Sequence, residues 1–248
     1  MTDKRGDPAR PADDEARHLA SRLLRTARHG ALAVLDPQTG TPMVSRVGLA
    51  TAVDGTPLIL VSTLAGHTAG LAGDPRCSIL VGEPGKGDPL AHPRMTIACR
   101  AVKLDRDAEE GRQARMRYLA ANPKAALYAG FADFSFHALL PQAASLNGGF
   151  GRAWRLAAAD LLSDGNASAR FATEQHRLLE WLHDEGRPRL LAAARAAGLP
   201  DRGVTATGVD PGGIDLTIRG RAERLAFDRP ADMPGQVCQR LASLGASR

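Results

Sequence analysis

Hydrophobic residues change their spacing about thirty residues into the chain. A first segment has apolar residues at helical intervals after Asp13 and Asp14, and we expect Gly30 to end that helix. Short β-rich runs then follow one another: ALAVLD, MVSRVGLATA, PLILVSTL, RCSILVGE and MTIACRAVKLD. PQTG and DG separate the first three runs, and both are typical hairpin turns. Closely spaced strands with short turns predict an antiparallel sheet or barrel rather than alternating strands and helices.

Three helical segments are expected around these strands. LAGHTAGLAGDP has room for about two turns between the third and fourth strands. The stretch 106–121 is amphipathic and Asn122-Pro123 stops it, with a short helix expected over 124–128. FSFHALLPQAASLNGGFGRAWRLAAADLL then returns to strand character, and its glycine cluster suggests a bulge or a close approach to a ligand.

The last third of the chain predicts a separate small unit. LLSDGNASA has the composition of a linker, and after it come two helices, near 173–183 and 188–197. Two strands, GVTATGVD and GIDLTIRG, and a terminal helix over 233–244 complete the pattern. We therefore expect three parts: a disordered tail over 1–12, a barrel domain over 13–162 and a small α+β domain over 170–248.

Composition narrows the classes of function. The chain has 248 residues, a formal net charge of +5 and only 4% aromatic residues. Because the arginines are scattered and stacking residues are scarce, we expect no nucleic-acid partner; a pocket for a small anion fits the charge equally well. No run approaches the roughly 20 apolar residues that span a bilayer, and the polar N-terminus does not have the pattern of a signal peptide. These features predict a cytoplasmic protein with no membrane partner.

Classical catalytic and metal motifs are missing from the sequence. There is no GxGxxG after a strand, no GxxxxGK[ST], no HExxH and no GxSxG. The three cysteines (Cys77, Cys99 and Cys238) have no zinc spacing and are expected to be buried, reduced thiols. We therefore assign no metal ligand and no catalytic residue, and expect any ligand to lie in a site assembled across strands.

One group of residues suggests a phosphate site. Arg46 lies in the middle of an apolar strand, where its charge is costly unless it meets an anion. The third strand ends at Ser62, and the chain turns into His67-Thr68 at the start of a short helix. Hydroxyls, a helix N-terminus and an arginine together form a phosphate cradle. The alternative is that Arg46 lies on a solvated face and the hydroxyls only cap the helix.

The motifs, in their order, resemble a known family. GALAVLD, PMVSRVGLAT and LILVSTLAGHTAGLAGDPRCSILV resemble the pyridoxamine-phosphate-oxidase-like split barrels that bind FMN. HPRMTIACRA, YLAANPKAALYAGFADFSFHAL, GGFGRAW and the C-terminal VDPGGIDLTIRGRAERLAF resemble the HugZ-type haem-utilisation branch with its appended domain. The resemblance implies an α+β fold: a six-stranded antiparallel split β-barrel followed by a small α+β domain, with the ligand between two subunits of a homodimer.

The resemblance also implies residue roles. Arg46, Ser62, His67 and Thr68 would hold the FMN phosphate, and the backbone near Val47 and Val61 would flank the flavin ring. For Arg152, which follows the glycine cluster, contact with a phosphate or propionate and a plain surface position remain open.

The appended domain departs from the family pattern, since Trp181–Gly186 (WLHDEG) lacks both histidines usual in that helix. FMN-dependent redox chemistry is therefore the first hypothesis. A haem-binding or haem-degrading protein, for which His67, His92, His137 and His183 are the histidines to test, is the second. A cofactor-free dimer without enzymatic activity is the third.

Overall fold

The computed structural model describes residues 9–149 and 151–246, and of Ala246 only the backbone. In these ranges the chain forms a large mixed sheet, a separate three-stranded sheet and flanking helices. The large sheet holds nine strands: β1 (Arg10–Pro11), β2 (His29–Leu35), β3 (Pro42–Gly48), β4 (Ala50–Thr51), β5 (Pro57–Ser62), β6 (Arg76–Val81), β7 (Arg94–Lys103), β8 (Phe134–Asn147) and β9 (Ala153–Ala157). The expected α+β split barrel is confirmed.

The sheet divides at β8, its longest strand. From His137 to its end, β8 pairs with β7 on one side, whereas on the other side β5 pairs with its first half and β9 with its second half. The order then runs from β7 through β6 and β2 to β3 at the edge. A register shift at Gln142, beside Pro141, bends β8 between the two halves, as expected where proline interrupts a ladder.

Three helices pack around the large sheet: α1 (Asp14–Thr26), α2 (Gly66–Gly73) and α3 (Glu109–Ala121), with a 3₁₀ turn at Pro123–Leu127. Gly30 does not end α1, which stops at Thr26; it lies inside β2, where a Cβ would come within 2.9 Å of the Leu80 carbonyl oxygen of β6. The glycine marks a close approach of strands rather than a helix end.

The C-terminal unit follows after a shorter connection than expected. The proposed linker over 162–169 is wrong in its second half, because Asp164 caps α4 (Gly165–His183) by accepting from the backbone N–H of Ala167. Helix α5 (Arg187–Ala196), strands β10 (Val204–Asp210) and β11 (Gly213–Ile218) and helix α6 (Val237–Ala246) fall near the predicted segments. Strand β12 (Arg221–Ala226) was not predicted; it completes an antiparallel meander.

The N-terminal tail and the thiols need two corrections. Residues 1–8 of the expected disordered tail lie outside the described residues, but Arg10–Pro11 pair in parallel with β9, so disorder is wrong for these two. Cys77 and Cys99 are buried, and burial raises the pKa of Cys77 to about 11, whereas Cys238 is only half-buried. No helix among the described residues is long and apolar enough to cross a membrane.

Buried charges join the two parts of the chain. Arg25 of α1 and Arg117 of α3 meet Asp210 and Asp215 of the C-terminal sheet at 3.2 and 2.8 Å, respectively. Arg224 of β12 contacts both carboxylates at 2.8 and 2.6 Å. All five side chains are nearly inaccessible to solvent, so the small domain is fixed to the barrel by an ionic contact that water does not screen.

Candidate functional site

The hydroxyl groups of the predicted cradle lie at the turn from β5 into α2. Thr68 donates its hydroxyl hydrogen to the backbone oxygen of Ser62 at 2.6 Å, and Ser62 donates to a carboxylate oxygen of Asp133 at 2.7 Å. The backbone N–H of Leu64 donates to the Ser62 hydroxyl at 3.1 Å. The structure thus brings Ser62 and Thr68 together as predicted, but both hydroxyls already hold the turn.

Asp133 is the residue of this site that the sequence analysis did not assign to it. It stands 71 positions after Ser62 and reaches it because β5 pairs with the start of β8. The backbone N–H of Thr63 also donates to the Asp133 carbonyl at 2.8 Å. Only the pairing of these two strands, which short-range patterns do not reveal, could have indicated this contact.

Arg46 points away from the barrel interior. Its neighbour Val47 is buried in the core, as is Val61 of β5, so the backbone at these two positions lies at the inner wall. The Arg46 side chain is exposed, and its guanidinium has no hydrogen bond or ion pair with any residue that the structure describes. Within one chain the guanidinium therefore does not join Ser62 and Thr68, and it remains free to meet a ligand or a second subunit.

The outer face around Arg46 is a broad surface built mainly of small and aliphatic residues. Strand register aligns two rows across five strands, namely Arg46–Ala31–Leu80–Thr96–Ser145 and Val44–Ala33–Ser78–Ala98–Ala143. Val44 is 68% exposed and Leu80 is 41% exposed. An uncovered sheet face of small and aliphatic residues is typical of a surface that another protein chain covers.

Two histidines lie at the same end of the barrel. His137 of β8 is 7% exposed and its Nδ1 atom has no hydrogen-bond partner. Burial holds the pKa of His137 below its ordinary value and outweighs a backbone hydrogen bond at Ser135 that raises it; the nearby charges of Lys103 and His67 lower it further. Burial also lowers the pKa of His67, which is half-buried at the start of α2. Both imidazoles are therefore neutral near pH 7, the form in which histidine binds iron.

The other candidate histidines have structural positions. The Nε2 atom of His92 lies 3.0 Å from the backbone oxygen of Lys86 in an exposed loop. His183 of α4 makes a similar contact, also 3.0 Å long, with the backbone oxygen of Ala206. Since each ring already contacts a local carbonyl, His67 and His137 are the better candidates for ligands.

Arg152 lies far from the cradle within one chain. It precedes β9 and pairs with Glu15 and the backbone oxygen of Gly148, both at 2.7 Å. β9 pairs with the second half of the 14-residue strand β8, whereas Ser62 faces its first residue, Phe134. In a single subunit Arg152 is therefore a half-exposed arginine with a local acidic partner, and it does not contribute to the Ser62 turn.

A cleft of about 590 Å³ opens beside the Ser62 turn, and we call it the barrel-end cleft. Its lining combines apolar and charged residues: Thr63, Lys103, Leu104, Asp105, Arg106, Gly111, Ala132, Asp133, Phe134, Ser135 and Phe136. Lys103 is paired in register with His137, and Arg106 donates to the backbone oxygens of Phe131 and Phe134. Lys103 and Arg106 therefore bring two cationic donors able to bind carboxylates or phosphates, and the carboxylates of Asp105 and Asp133 lie in the same lining.

Asp74-Pro75-Arg76, the DPR segment of the family motif, forms a turn whose two charged side chains pair with each other. Asp74, just after α2, accepts hydrogen bonds from the side chain and the backbone N–H of Arg76, each at 3.0 Å. These contacts lower the pKa of Asp74 to about 2. The segment fixes the entry into β6, and neither charged group is left free for a ligand.

These features define the class of protein: a split barrel whose candidate ligand site lies at the β5–α2 turn and the adjoining cleft. The family model of pyridoxamine 5'-phosphate oxidase matches residues 17–148, more than half of the chain. The chain therefore belongs to the pyridoxamine 5'-phosphate oxidase family. The haem-related relatives described next agree with the HugZ-type branch within it.

Three similar proteins extend the comparison. Atu2129 of Agrobacterium tumefaciens, a solved structure of unknown function, is 31% identical, with 94% of this chain and 96% of that chain covered and a TM-score of 0.81. A haem-binding protein from Mycobacterium smegmatis is 30% identical, with 96% and 97% covered and a TM-score of 0.56. The chloroplastic non-canonical haem oxygenase HOZ of Arabidopsis thaliana is 34% identical over 103 residues, which span 42% of this chain and only 30% of that protein.

Proposed function

We propose that this chain binds haem at the barrel end, with His137 or His67 as the iron ligand. The observation that carries the proposal is the buried Nδ1 atom of His137, which has no partner although a polar atom removed from water normally has one. A ligand that coordinates this nitrogen would satisfy it. The haem-binding protein of M. smegmatis, similar over nearly the whole chain, supports the same choice.

The side chains at the barrel end have the chemistry that haem binding requires. The two neutral imidazoles would supply nitrogen donors from beside the barrel-end cleft, where Lys103 pairs in register with His137. Lys103 and Arg106 would bind the propionates, next to the carboxylates of Asp105 and Asp133. Bound haem would supply an iron centre for redox chemistry, which the residues that hold it and the polarity of the pocket would tune. The chain's own part is to hold the ring, keep the imidazoles neutral and exclude water with Phe134 and Phe136.

Haem binding can be tested by titrating the purified chain with haemin. We expect saturable binding with a sharp Soret band, and a loss of affinity of more than about tenfold in His137→Ala or His67→Ala, since removing groups that merely orient a ligand already costs about 10–100-fold. His92→Ala, in its exposed loop, is the matched control and should bind as the wild type does. Equal spectra and affinities in all four proteins would remove both histidines from the site.

FMN binding is the second candidate, favoured by the unpaired guanidinium of Arg46 and by the family to which the chain belongs. It accounts less well for Ser62 and Thr68, whose hydroxyls are already used inside the chain. In this case the cofactor would supply oxidoreductase chemistry. A chain that binds neither FMN nor haemin would be the cofactor-free form of the fold.

The FMN candidate predicts a specific effect at Arg46. Arg46→Ala should weaken FMN binding by about 1.5–3 kcal/mol, the usual contribution of a hydrogen bond to a charged group. Quenching of flavin fluorescence measures the affinity, and Arg202→Ala, an exposed arginine of the C-terminal domain, serves as the control. If Arg46→Ala and Arg202→Ala bind FMN equally well, Arg46 does not contact the phosphate.

We also propose that the chain is a cytoplasmic homodimer. The two rows across β2, β3, β6, β7 and β8 form a face of mostly small and aliphatic residues that a second copy would cover, and β3 is an open edge of the sheet. Such a dimer would bury Arg46 beside the partner and complete the ligand site from two subunits. The free thiols fit a reducing compartment.

Assembly can be measured by light scattering. We expect twice the chain mass of 26.2 kDa at micromolar concentration, and the single-chain mass for Leu80→Glu, because a charge at the middle of the covered face is costly to bury. Glu83→Gln, an exposed change beyond the end of β6, should leave the dimer intact. A wild-type mass of one chain would contradict the proposal.

A further inference from the structure

A second cleft, distant in sequence from the cradle, lies between α1 and the end of β12. It has a volume of about 310 Å³, and we call it the seam cleft. Arg22 of α1 and Arg229 line it from opposite sides, and Arg224 also lines it. His18 adds a titratable ring at the edge. This concentration of cationic side chains between the two domains has no part in the barrel-end site.

The charges next to the seam cleft do not balance. In the described part of the chain, three buried guanidinium groups (Arg25, Arg117 and Arg224) contact the two carboxylates of Asp210 and Asp215, and Arg28 lies within electrostatic reach of Asp215 and Arg117. The guanidinium groups of this buried cluster therefore outnumber its carboxylates. One nitrogen of Arg28 is buried without a partner, and burial lowers the pKa of Arg28. Such an excess raises the potential in any adjoining space and favours an anion there.

The arginines at the rim of the seam cleft are available to a ligand. Arg22 and Arg229 are exposed, and neither forms an ion pair with any described residue. The acidic residue in the lining, Asp228, accepts the backbone N–H of Arg229 at 2.9 Å. Ser21 and Ser163 add two hydroxyl groups to the lining. Arginines and hydroxyls at one concave surface are the donor set that recognises phosphate.

We propose that the seam cleft binds a phosphate group, either as the free ion or carried by a small phosphorylated molecule. Its volume is about ten times the roughly 30 Å³ that one water occupies in the liquid, so it has room for a phosphate and a small organic group. Ala226, Phe227 and Pro230 provide an apolar wall against which that group would pack. Arg224 lies beneath the anion and links it to Asp210 and Asp215, and therefore to the contact between the domains.

The test is calorimetric titration of the full chain with inorganic phosphate, glycerol 3-phosphate and AMP, in low-salt buffer without other multivalent anions. We expect saturable binding of one ligand per chain for at least one of the three. The double variant Arg22→Gln, Arg229→Gln should lose about tenfold or more in affinity, given the usual strength of hydrogen bonds to charged groups. The control is Arg221→Gln, at the opposite end of β12 from the seam cleft, and it should bind as the wild type does.

The three ligands distinguish the two sources of phosphate. Tightest binding of inorganic phosphate identifies an ion site, and tighter binding of glycerol 3-phosphate or AMP identifies a site for a phosphorylated molecule. The proposal is overturned if none of them binds at millimolar concentration, or if the double variant binds as tightly as Arg221→Gln. His137→Ala should not change any of these affinities, so the outcome is independent of the haem proposal.

Discussion

Asp210→Asn should lower the free energy of unfolding by about 3–5 kcal/mol, the usual cost of removing one partner from a buried ion pair. Asp210 is completely buried and accepts two hydrogen bonds from Arg224, each 2.8 Å long, while Arg25 lies 3.2 Å away. Asparagine keeps the volume but removes the charge, which leaves Arg25 and Arg224 under-compensated in the interior. Urea denaturation followed by circular dichroism measures the change.

The control for this experiment is Asp201→Asn. Asp201 pairs with Arg195 at 3.2 Å, but both side chains are around half exposed, so the change should cost no more than about 1 kcal/mol. Comparable losses in the two variants would show that the buried charges do not hold the domains together more strongly than a surface pair does.

Asp210→Asn should also alter the dependence of the free energy of unfolding on pH. Burial alone would raise the pKa of Asp210, but the charges of Arg224 and Arg25 outweigh it and hold the pKa below its ordinary value. A lowered folded-state pKa contributes stability that is present above the unfolded-state pKa of about 3.9 and is lost as the pH falls from there toward the folded-state pKa. The difference between wild type and Asp210→Asn should therefore shrink below about pH 4.

Local patterns predicted most of the strands because each carries its own signal. The five β-rich runs and the amphipathic stretch that became α3 depend on the spacing of side chains within a few residues. In β3 the same two-residue alternation places Arg46 on the outer face and Val47 in the core. Which of the two faces is the core depends on the neighbouring strands, and the sequence alone left this open.

The ionic contact between the domains could not be predicted in this way. Its charged groups come from α1, from α3 and from the β10–β12 meander, three parts of the chain that are far apart in sequence. Asp210 stands before Pro211-Gly212-Gly213, where an aspartate is usually a turn residue, and Arg25 lies in the last turn of a helix, where arginine is usually solvated. The partner of each charge, rather than its local pattern, explains why it is buried.

Gly208→Ala should lower the free energy of unfolding by about 2–4 kcal/mol, from overpacking together with strained hydrogen bonds to a charged group. A Cβ at position 208 would lie only 1.7 Å from the Nη1 atom of Arg117. The guanidinium cannot move aside freely, because it donates to the Thr51 carbonyl at 3.0 Å, to Gln175 at 3.0 Å and to Asp215 at 2.8 Å. The added methyl group must therefore displace Arg117 or push β10 away from α3.

Three further variants, Gly235→Ala, Arg117→Met and the double variant Gly208→Ala with Arg117→Met, make this prediction specific. Gly235→Ala is the control, since a Cβ there meets no atom within 4 Å, and its stability should change by less than about 1 kcal/mol. In Gly208→Ala combined with Arg117→Met, the clashing group is absent, so the double variant should cost less than the sum of the two single changes. Thermal or urea unfolding of the wild type, Gly208→Ala, Arg117→Met and the double variant measures the coupling. The prediction is contradicted if the two single changes are strictly additive, or if Gly208→Ala is as stable as Gly235→Ala. Either result would mean that the absence of a Cβ at Gly208 is not what makes room for the Arg117 guanidinium.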